Sequence, residues 1–417
     1  MKILLISVGT NGDIEPFLAI AELLKEKGHD IVCCFPEQFR TITKEANHHF
    51  VGLGAEFLEL LESVNGKIVM GGRASIIRKI KAYYSLYQKS SLVNKILVKQ
   101  QQDLINDITP DKVIYNIKSL YPLIWTIDNP EKAILVSPIP YLVHSTKNQA
   151  HIGFNKNFGS IINKLTYRLS NYGLIKNVLS VTKDCASIKK ITFKQLKKVL
   201  CNSKMIYTVS PSLFTRPNYW PTNVQILGFH ERNKRNTWEA NDELKAFISK
   251  HDKILFVTLG SMTNENPEEK TAIVLDIVQR YGIPTIINTS SGGLMKPNSY
   301  ESNLLLFVSN IPYDWIFSKV YAVMHHGGSG TTHTSLKYGC SSLIIPHIID
   351  QFMWRNAVYD LGVGPRGIDI SKLNLKTLEP LILNLYQNAV YKERAKQISE
   401  QMKKEKLKKE LYQFIMN

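Results

Sequence analysis

At 417 residues the chain is long for one domain and comfortable for two, and its 44% hydrophobic and 10% aromatic content suits buried globular cores. Its net charge of +17 is uneven, with +13 on residues 1–230 and +4 on residues 231–417. No apolar run approaches the length of a bilayer span, and "MKILLISVG" is too short and lacks a cleavage site for a signal peptide, so neither membrane insertion nor secretion is expected. Cys33, Cys34, Cys185, Cys201 and Cys340 are odd in number and lack metal spacing, which fits free thiols in a reducing cytoplasm and predicts no metal site.

In chain order, "KILLISVGTNGDIEPFLAIAELLKEKGHDIVCCFP" reads as a strand from Ile3, a glycine turn, a helix with Leu18, Ala21 and Leu24 inward, a stop near Gly28 and a strand over Asp30–Phe35. Short connections between parallel elements make a βαβ unit. Further strands are predicted at 112–116, 133–138 and 205–210. Residues 60–105 and 150–200 read as helical and irregular. Residues 63–102 hold eight basic residues and no acidic one, with Arg78, Lys79, Lys81, Lys89, Lys95 and Lys99 set among Ile, Leu and Tyr. From Lys132 to His230 the only carboxylate is Asp184. Such basic amphipathic stretches favour anionic lipid surfaces, which makes peripheral contact with the inner membrane face one reading of this half; a solvated basic face with its apolar side in the core is the other. No nucleic-acid motif accompanies the charge.

A polar, aperiodic stretch at 231–243 marks a linker between an N-terminal domain over 1–230 and a second over 244–395. The second series begins with the strand 253–261, a helix from Pro267 to about Gly282, and strands at 284–290, 303–310, 321–326, 341–347 and 364–370. The tail is helical, and a C-terminal helix over 396–417 is expected to return to the N-terminal domain. The fold class is therefore α/β, two doubly wound Rossmann-like domains, with ligands at the carboxyl ends of the strands and in the cleft between facing domains.

Two turns carry the chemistry. "HHGGSGTT" (325–332) joins an apolar strand to a short helix that Gly339 stops. A glycine turn feeding a helix N-terminus suits an anion, typically phosphate, and His326 stands at its mouth as a further donor. Neither this turn nor "GTNGD" (9–13) has the spacing of a dinucleotide or P-loop motif. Asp13, just past the first strand, suits either a general base or the N-cap of the next helix. Asp350 and Gln351 end another strand and suit sugar hydroxyls, with helix capping by Asp350 as the structural alternative.

The segments "GTNGDIEPFLAIAELLKEKGHDI", "GSM", "NIPYDWIF", "HHGGSGTT", "SLIIPHIIDQ" and "LGVGP", in this order along the chain, resemble the landmarks of the UDP-dependent glycosyltransferases, in particular their sterol glucosyltransferase branch. The resemblance implies a GT-B fold and an inverting, metal-independent transfer of a hexose, glucose by preference, from a UDP-sugar co-substrate to a hydroxyl of a lipophilic acceptor. No cofactor is implied. Carried over by position, His326, Gly328, Ser329, Gly330 and Thr331 hold the diphosphate with Ser261 beside them. Ile311 and Tyr313 lie at the base and ribose, Asp350 and Gln351 at the sugar hydroxyls, and Asp13 is the base, with Thr10 and Asn11 on its loop. Asn11 stands where the family usually has Arg, Tyr313 where it often has His, and Thr334 where plant relatives have Glu. A nucleotide-sugar epimerase and a non-catalytic nucleotide-sugar-binding helper fit the same fold.

Overall fold

The opening run Ile3 to Ile6 is fully buried, as befits a strand covered on both faces. It forms the centre of the first of two compact units in the computed structural model, which describes residues 1–69, 76–154, 156–183, 185, 187–232, 238–260, 262, 264, 266–289 and 292–417. This unit takes Met1–Gly66, Ile80–Arg232 and Lys406–Asn417. Its seven strands are β1 (Lys2–Ile6), β2 (Asp30–Phe35), β3 (His49–Gly52), β4 (Lys112–Tyr115), β5 (Ala133–Ser137), β6 (Lys204–Tyr207) and β7 (Val224–Ile226). They are all parallel in the order β3-β2-β1-β4-β5-β6-β7. That is the doubly wound order, and it reverses direction between β1 and β4, where ligands of such sheets bind. β3 and β7 are additions to the expected set. β3, "HFVG", has one buried residue and so no continuous apolar run, and β7 has only three residues.

The helix Asn11–Glu26 buries Phe17, Leu18, Ile20, Ala21 and Leu24 against this sheet. It stops where Gly28 takes φ +80°, with the Gly28 N–H donating to the Lys25 carbonyl at 2.9 Å. The last helix, Lys408–Met416, places Leu411 and Ile415 in the same core, and Tyr412 hydrogen-bonds His29 at 3.1 Å. The expected helical stretches appear as Ile76–Ile108 and Ser160–Thr182. Of the residues named in the basic amphipathic reading, the side chain of Lys79 lies outside the described residues.

The second unit, built on Asn233–Glu405, has β8 (Leu255–Thr258), β9 (Thr285–Asn288), β10 (Leu305–Val308), β11 (Ala322–His325) and β12 (Ser341–Ile344), again all parallel, in the order β10-β9-β8-β11-β12. The reversal falls between β8 and β11. One expected strand is corrected: 364–370 is irregular. The Ser342 N–H donates to the Val363 carbonyl and the Ile370 N–H to the Pro346 carbonyl, at 3.0 and 3.1 Å. Between them Pro365 has no N–H to give, and Gly364 and Gly367 press so closely on the Ser342 and Ile344 carbonyl oxygens that any Cβ would collide. Among the described residues no helix is long and apolar enough to cross a membrane. The five cysteines are free.

Candidate functional site

In the first unit the site is the turn leaving β1. Thr10 is the residue before the helix and Asp13 its third residue, not the N-cap that the sequence alternative offered. The Thr10 N–H donates to Asp13 Oδ2 at 3.0 Å, which turns the carboxylate back over the start of the helix. Gly9, at φ +145°, leaves room for it, since a Cβ there would run into the Asp13 side chain. Beyond β4, Asn116 straps the same turn across the sheet reversal. Its Nδ2 donates to the Val8 carbonyl at 2.7 Å and to Ser7 Oγ at 2.9 Å, and its Oδ1 accepts from the Val8 N–H at 3.3 Å. Two residues on, Lys118 Nζ donates to both Asp13 oxygens, at 2.8 and 2.7 Å. Asp13 is only 8% exposed, whereas 42% of the Lys118 side chain is exposed, so the cation sits on the solvent side of the carboxylate. Thr10 is half-buried and Asn11 exposed beside them.

In the second unit the site is the turn leaving β11, across the reversal from β8. His325 ends the strand, and Gly327, at φ +93°, and Gly328 lead into the helix Ser329–Lys337. The first N–H groups of that helix have no partner within it and carry its positive end. The His326 ring lies between two glycines: a Cβ on Gly260, at the end of β8, would run into it, and one on Gly328 would stand 2.5 Å from its Nε2. The ring is buried, and its Nδ1 has no hydrogen-bond partner among the described residues. Burial, with His325 and His347 nearby, pushes its pKa well below the usual value, so the imidazole is neutral near pH 7. His333, one turn into the helix, bonds the Ser329 carbonyl at 2.7 Å through Nδ1 and meets Trp354 edge-on; burial lowers its pKa to about 4. The position of Gly330 is open, with no atom within 4 Å of where a Cβ would stand.

Two family models match the chain: the glycosyltransferase family 28 N-terminal domain over residues 3–109, and the erythromycin biosynthesis protein CIII-like C-terminal domain over 298–416. A sterol 3-beta-glucosyltransferase of Arabidopsis thaliana is 26% identical across 97% of this chain and 63% of its own length. One from Saccharomyces cerevisiae (strain YJM789) is 26% identical across 96% of this chain and 34% of its own length. The chain thus spans about two-thirds of the plant relative and one-third of the yeast one. Among solved structures, the glycotransferase of kitacinnamycin superposes with a TM-score of 0.69 at 14% identity, covering 100% of this chain and 98% of that one. The spinosyn rhamnosyltransferase bound to thymidine diphosphate superposes at 0.65 and 13% identity, covering 100% of each. The chain has the GT-B fold of these solved structures and is similar over nearly its whole length to sterol 3-beta-glucosyltransferases.

Within this fold, the expected site residues fall into separate groups. Thr10, Asn11 and Asp13 share the β1 turn. His326, Gly328, Ser329, Gly330 and Thr331 share the β11 turn and the first turn of its helix. Ile311 is buried in the core behind Tyr313. The Tyr313 hydroxyl bonds Thr258 Oγ1 at 2.8 Å and Asn288 Nδ2 at 3.3 Å, and its ring stacks on Phe317 at 4.9 Å. Asp350 and Gln351 open the helix Ile349–Asp360, and here the capping expected of Asp350 is performed by Gln351. Gln351 Oε1 accepts the N–H groups of His347 and Ile348 at 2.7 and 3.2 Å, fixing the turn that holds Asp350. Ser261 lies outside the described residues. Sequence reasoning missed Lys118 and Asn116. Their only signal is position, just past an apolar run that ends in "YNIKS". That this run pairs directly with β1 is a fact of topology, not of local pattern.

Proposed function

We propose that the chain is an inverting, metal-independent glycosyltransferase that moves a hexose, glucose, from a UDP-sugar to a hydroxyl of a lipophilic acceptor. The observation that carries this reading is the β11 turn: a neutral buried imidazole and an open helix N-terminus at the reversal point of a parallel sheet, built to meet a diphosphate. The match of nearly the whole chain to sterol 3-beta-glucosyltransferases supports the sugar and the acceptor class. The thymidine diphosphate in the spinosyn rhamnosyltransferase makes a thymidine donor the natural competitor in a test of the base.

In this reading Ser329, Gly330 and Thr331 offer N–H groups to the diphosphate, with Ser261 and Gly328 beside them, and His326 donates without bringing a charge. Ile311 and Tyr313 flank the nucleoside, and Asp350 with Gln351 meets the sugar hydroxyls. Asp13, with Thr10 and Asn11 on its loop, is the base. The acceptor oxygen forms a bond to the anomeric carbon as the bond from that carbon to UDP breaks, and the hydroxyl proton passes to Asp13. The electron pair leaves on the diphosphate, where the helix end stabilises it. Attack from the far face inverts configuration, so an α-linked donor gives a β-glycoside. The ammonium of Lys118 keeps Asp13 oriented until an alcohol replaces it. The basic N-terminal half brings the protein to an anionic membrane face where such acceptors reside.

Calorimetric titration with UDP and with thymidine diphosphate, followed by NMR of the product from UDP-glucose and a phenolic acceptor, tests the reading. Binding of UDP and a β-glycoside are expected, and His326→Ala should weaken UDP binding and slow transfer. A protein that binds neither nucleotide, or that converts the donor without any acceptor, rules it out.

A further inference from the structure

The helix Ser160–Thr182 is built inside out over its first half. Asn163, Thr166 and Tyr167 face inward and are buried. Asn163 Nδ2 donates to the Lys147 carbonyl at 2.8 Å, Thr166 Oγ1 accepts the His151 N–H at 2.9 Å, and Ser170 bonds His151 Nδ1 at 2.9 Å. The inward face thus fastens a preceding loop by polar bonds. The outward face is apolar: Ile161 is 86% exposed, Leu165 60% and Leu169 59%, with Ile162 and Tyr172 also exposed. At helical pitch these five side chains fall within an arc of about 100°. Phe158, just before the helix, is exposed as well.

An ordinary surface helix reverses this arrangement, and a contiguous exposed apolar stripe marks a contact with something apolar. Charge says what kind. Lys164 and Arg168 are exposed along one edge of the stripe, and Lys176 stands over the Tyr172 ring. From Lys132 to His230 the sequence offers only Asp184 against fourteen basic residues. A second copy of the chain docked face to face would set Lys164 and Arg168 against their own equivalents, which like-charge repulsion opposes. A bilayer with anionic headgroups meets both demands at once: apolar side chains enter the boundary between headgroups and acyl chains while the basic edge stays among phosphates.

We propose that the outward face of the Ser160–Thr182 helix is a docking surface for anionic membranes. It deepens the membrane contact included in the function above, but needs neither nucleotide nor transfer to operate. The test is flotation of the full chain with vesicles of phosphatidylcholine alone and of phosphatidylcholine mixed with phosphatidylglycerol. Flotation with the mixed vesicles is expected to exceed that with the neutral ones by at least about tenfold and to fall with added salt. Leu165→Gln/Leu169→Gln should abolish it, and Lys164→Gln/Arg168→Gln should reduce it by about twentyfold to thirtyfold. All four positions are exposed, so melting temperature and UDP binding should stay unchanged, and Val390→Gln, exposed on the second unit, should float as wild type. Equal flotation with both vesicles, or Leu variants that float normally, overturns the proposal. So does a dimer in sedimentation that the Leu variants dissolve while wild type ignores vesicles. Flotation with no UDP binding would sink the transferase reading and spare this one.

Discussion

The turns leaving β1 and β11 both flank the reversal of their sheets, yet they are wired in opposite senses. The first presents a carboxylate held by a main-chain N–H, a lysine and a strap from Asn116. The second presents a neutral imidazole in a glycine slot and a helix end whose first N–H groups have no partner within the helix. The shared fold supplies position, and the side chains decide which turn takes a proton and which takes an anion. Variants that exchange or erase these characters separate the two roles.

The largest effect is expected at the first turn. Asp13→Asn keeps the Thr10 N–H contact in shape but removes the proton acceptor, so turnover should fall by roughly a hundredfold to ten-thousandfold while UDP affinity holds. Turnover within a few-fold of wild type, measured with affinity unchanged, would remove Asp13 from the chemistry. The second turn answers to the opposite change. Gly330→Asp has room and places a negative charge at a helix N-terminus, where it favours the fold. The same charge opposes a diphosphate, so UDP affinity should drop by about a hundredfold with no loss of melting temperature. Unaltered calorimetric affinity would mean that the diphosphate sits elsewhere. Lys118→Met tests the wiring of the first turn. Freed of its solvent-side partner, Asp13 loses orientation, and kcat should fall on the order of tenfold to a hundredfold with KM for UDP-glucose unchanged. A KM change without a kcat change would make Lys118 a binding residue instead.

Much of this was legible in the chain itself, for a physical reason. Parallel strands buried on both faces must be continuous apolar runs, so "KILLI", "KVIY", "AILVS", "LLFV" and "AVMH" announce themselves, and Gly9 and Gly327, at positive φ, mark where the first and last of them turn into their helices. The edges were not legible. β3 carries half-buried residues and β7 has only three, and the 364–370 run looks like a strand until Pro365 and two glycines pressed on β12 deny it a ladder. At the site, residue type and turn position pointed to Asp13 and His326. The partners did not appear, because Lys118 lies 105 residues from Asp13 and meets it only through the β1–β4 pairing. Gly260 carries the same lesson. It reads as the end of a strand, but it is where the His326 ring rests.

Acid should sharpen the contrast by the smallest, most gradual effect. In the second unit His325, His333 and His347 are buried, and desolvation lowers their pKa values to about 3, 4 and 4, while His326 is lowered as well. Their unfolded value is 6.5, so between there and about 4 the unfolded chain binds more protons than the folded one. Stability therefore rises with pH across that window: these groups contribute fully above 6.5, and the contribution is lost as pH falls toward the folded values. The first unit has His48 and His144 shifted the same way, to about 4, but neither belongs to its site turn, which the Lys118–Asp13 ion pair holds. Melting followed at a series of pH values should show a declining midpoint from pH 6.5 downward. Hydrogen exchange should show protection lost first in Ser329–Lys337, where His333 holds the Ser329 carbonyl, and later in Asn11–Glu26. UDP, by occupying the helix end, should slow exchange in the first segment and leave the second as it was. If acid instead opened the Asn11–Glu26 segment first, the neutral-histidine slot would not be the acid-sensitive element, and the opposition between the two turns would rest on the carboxylate alone.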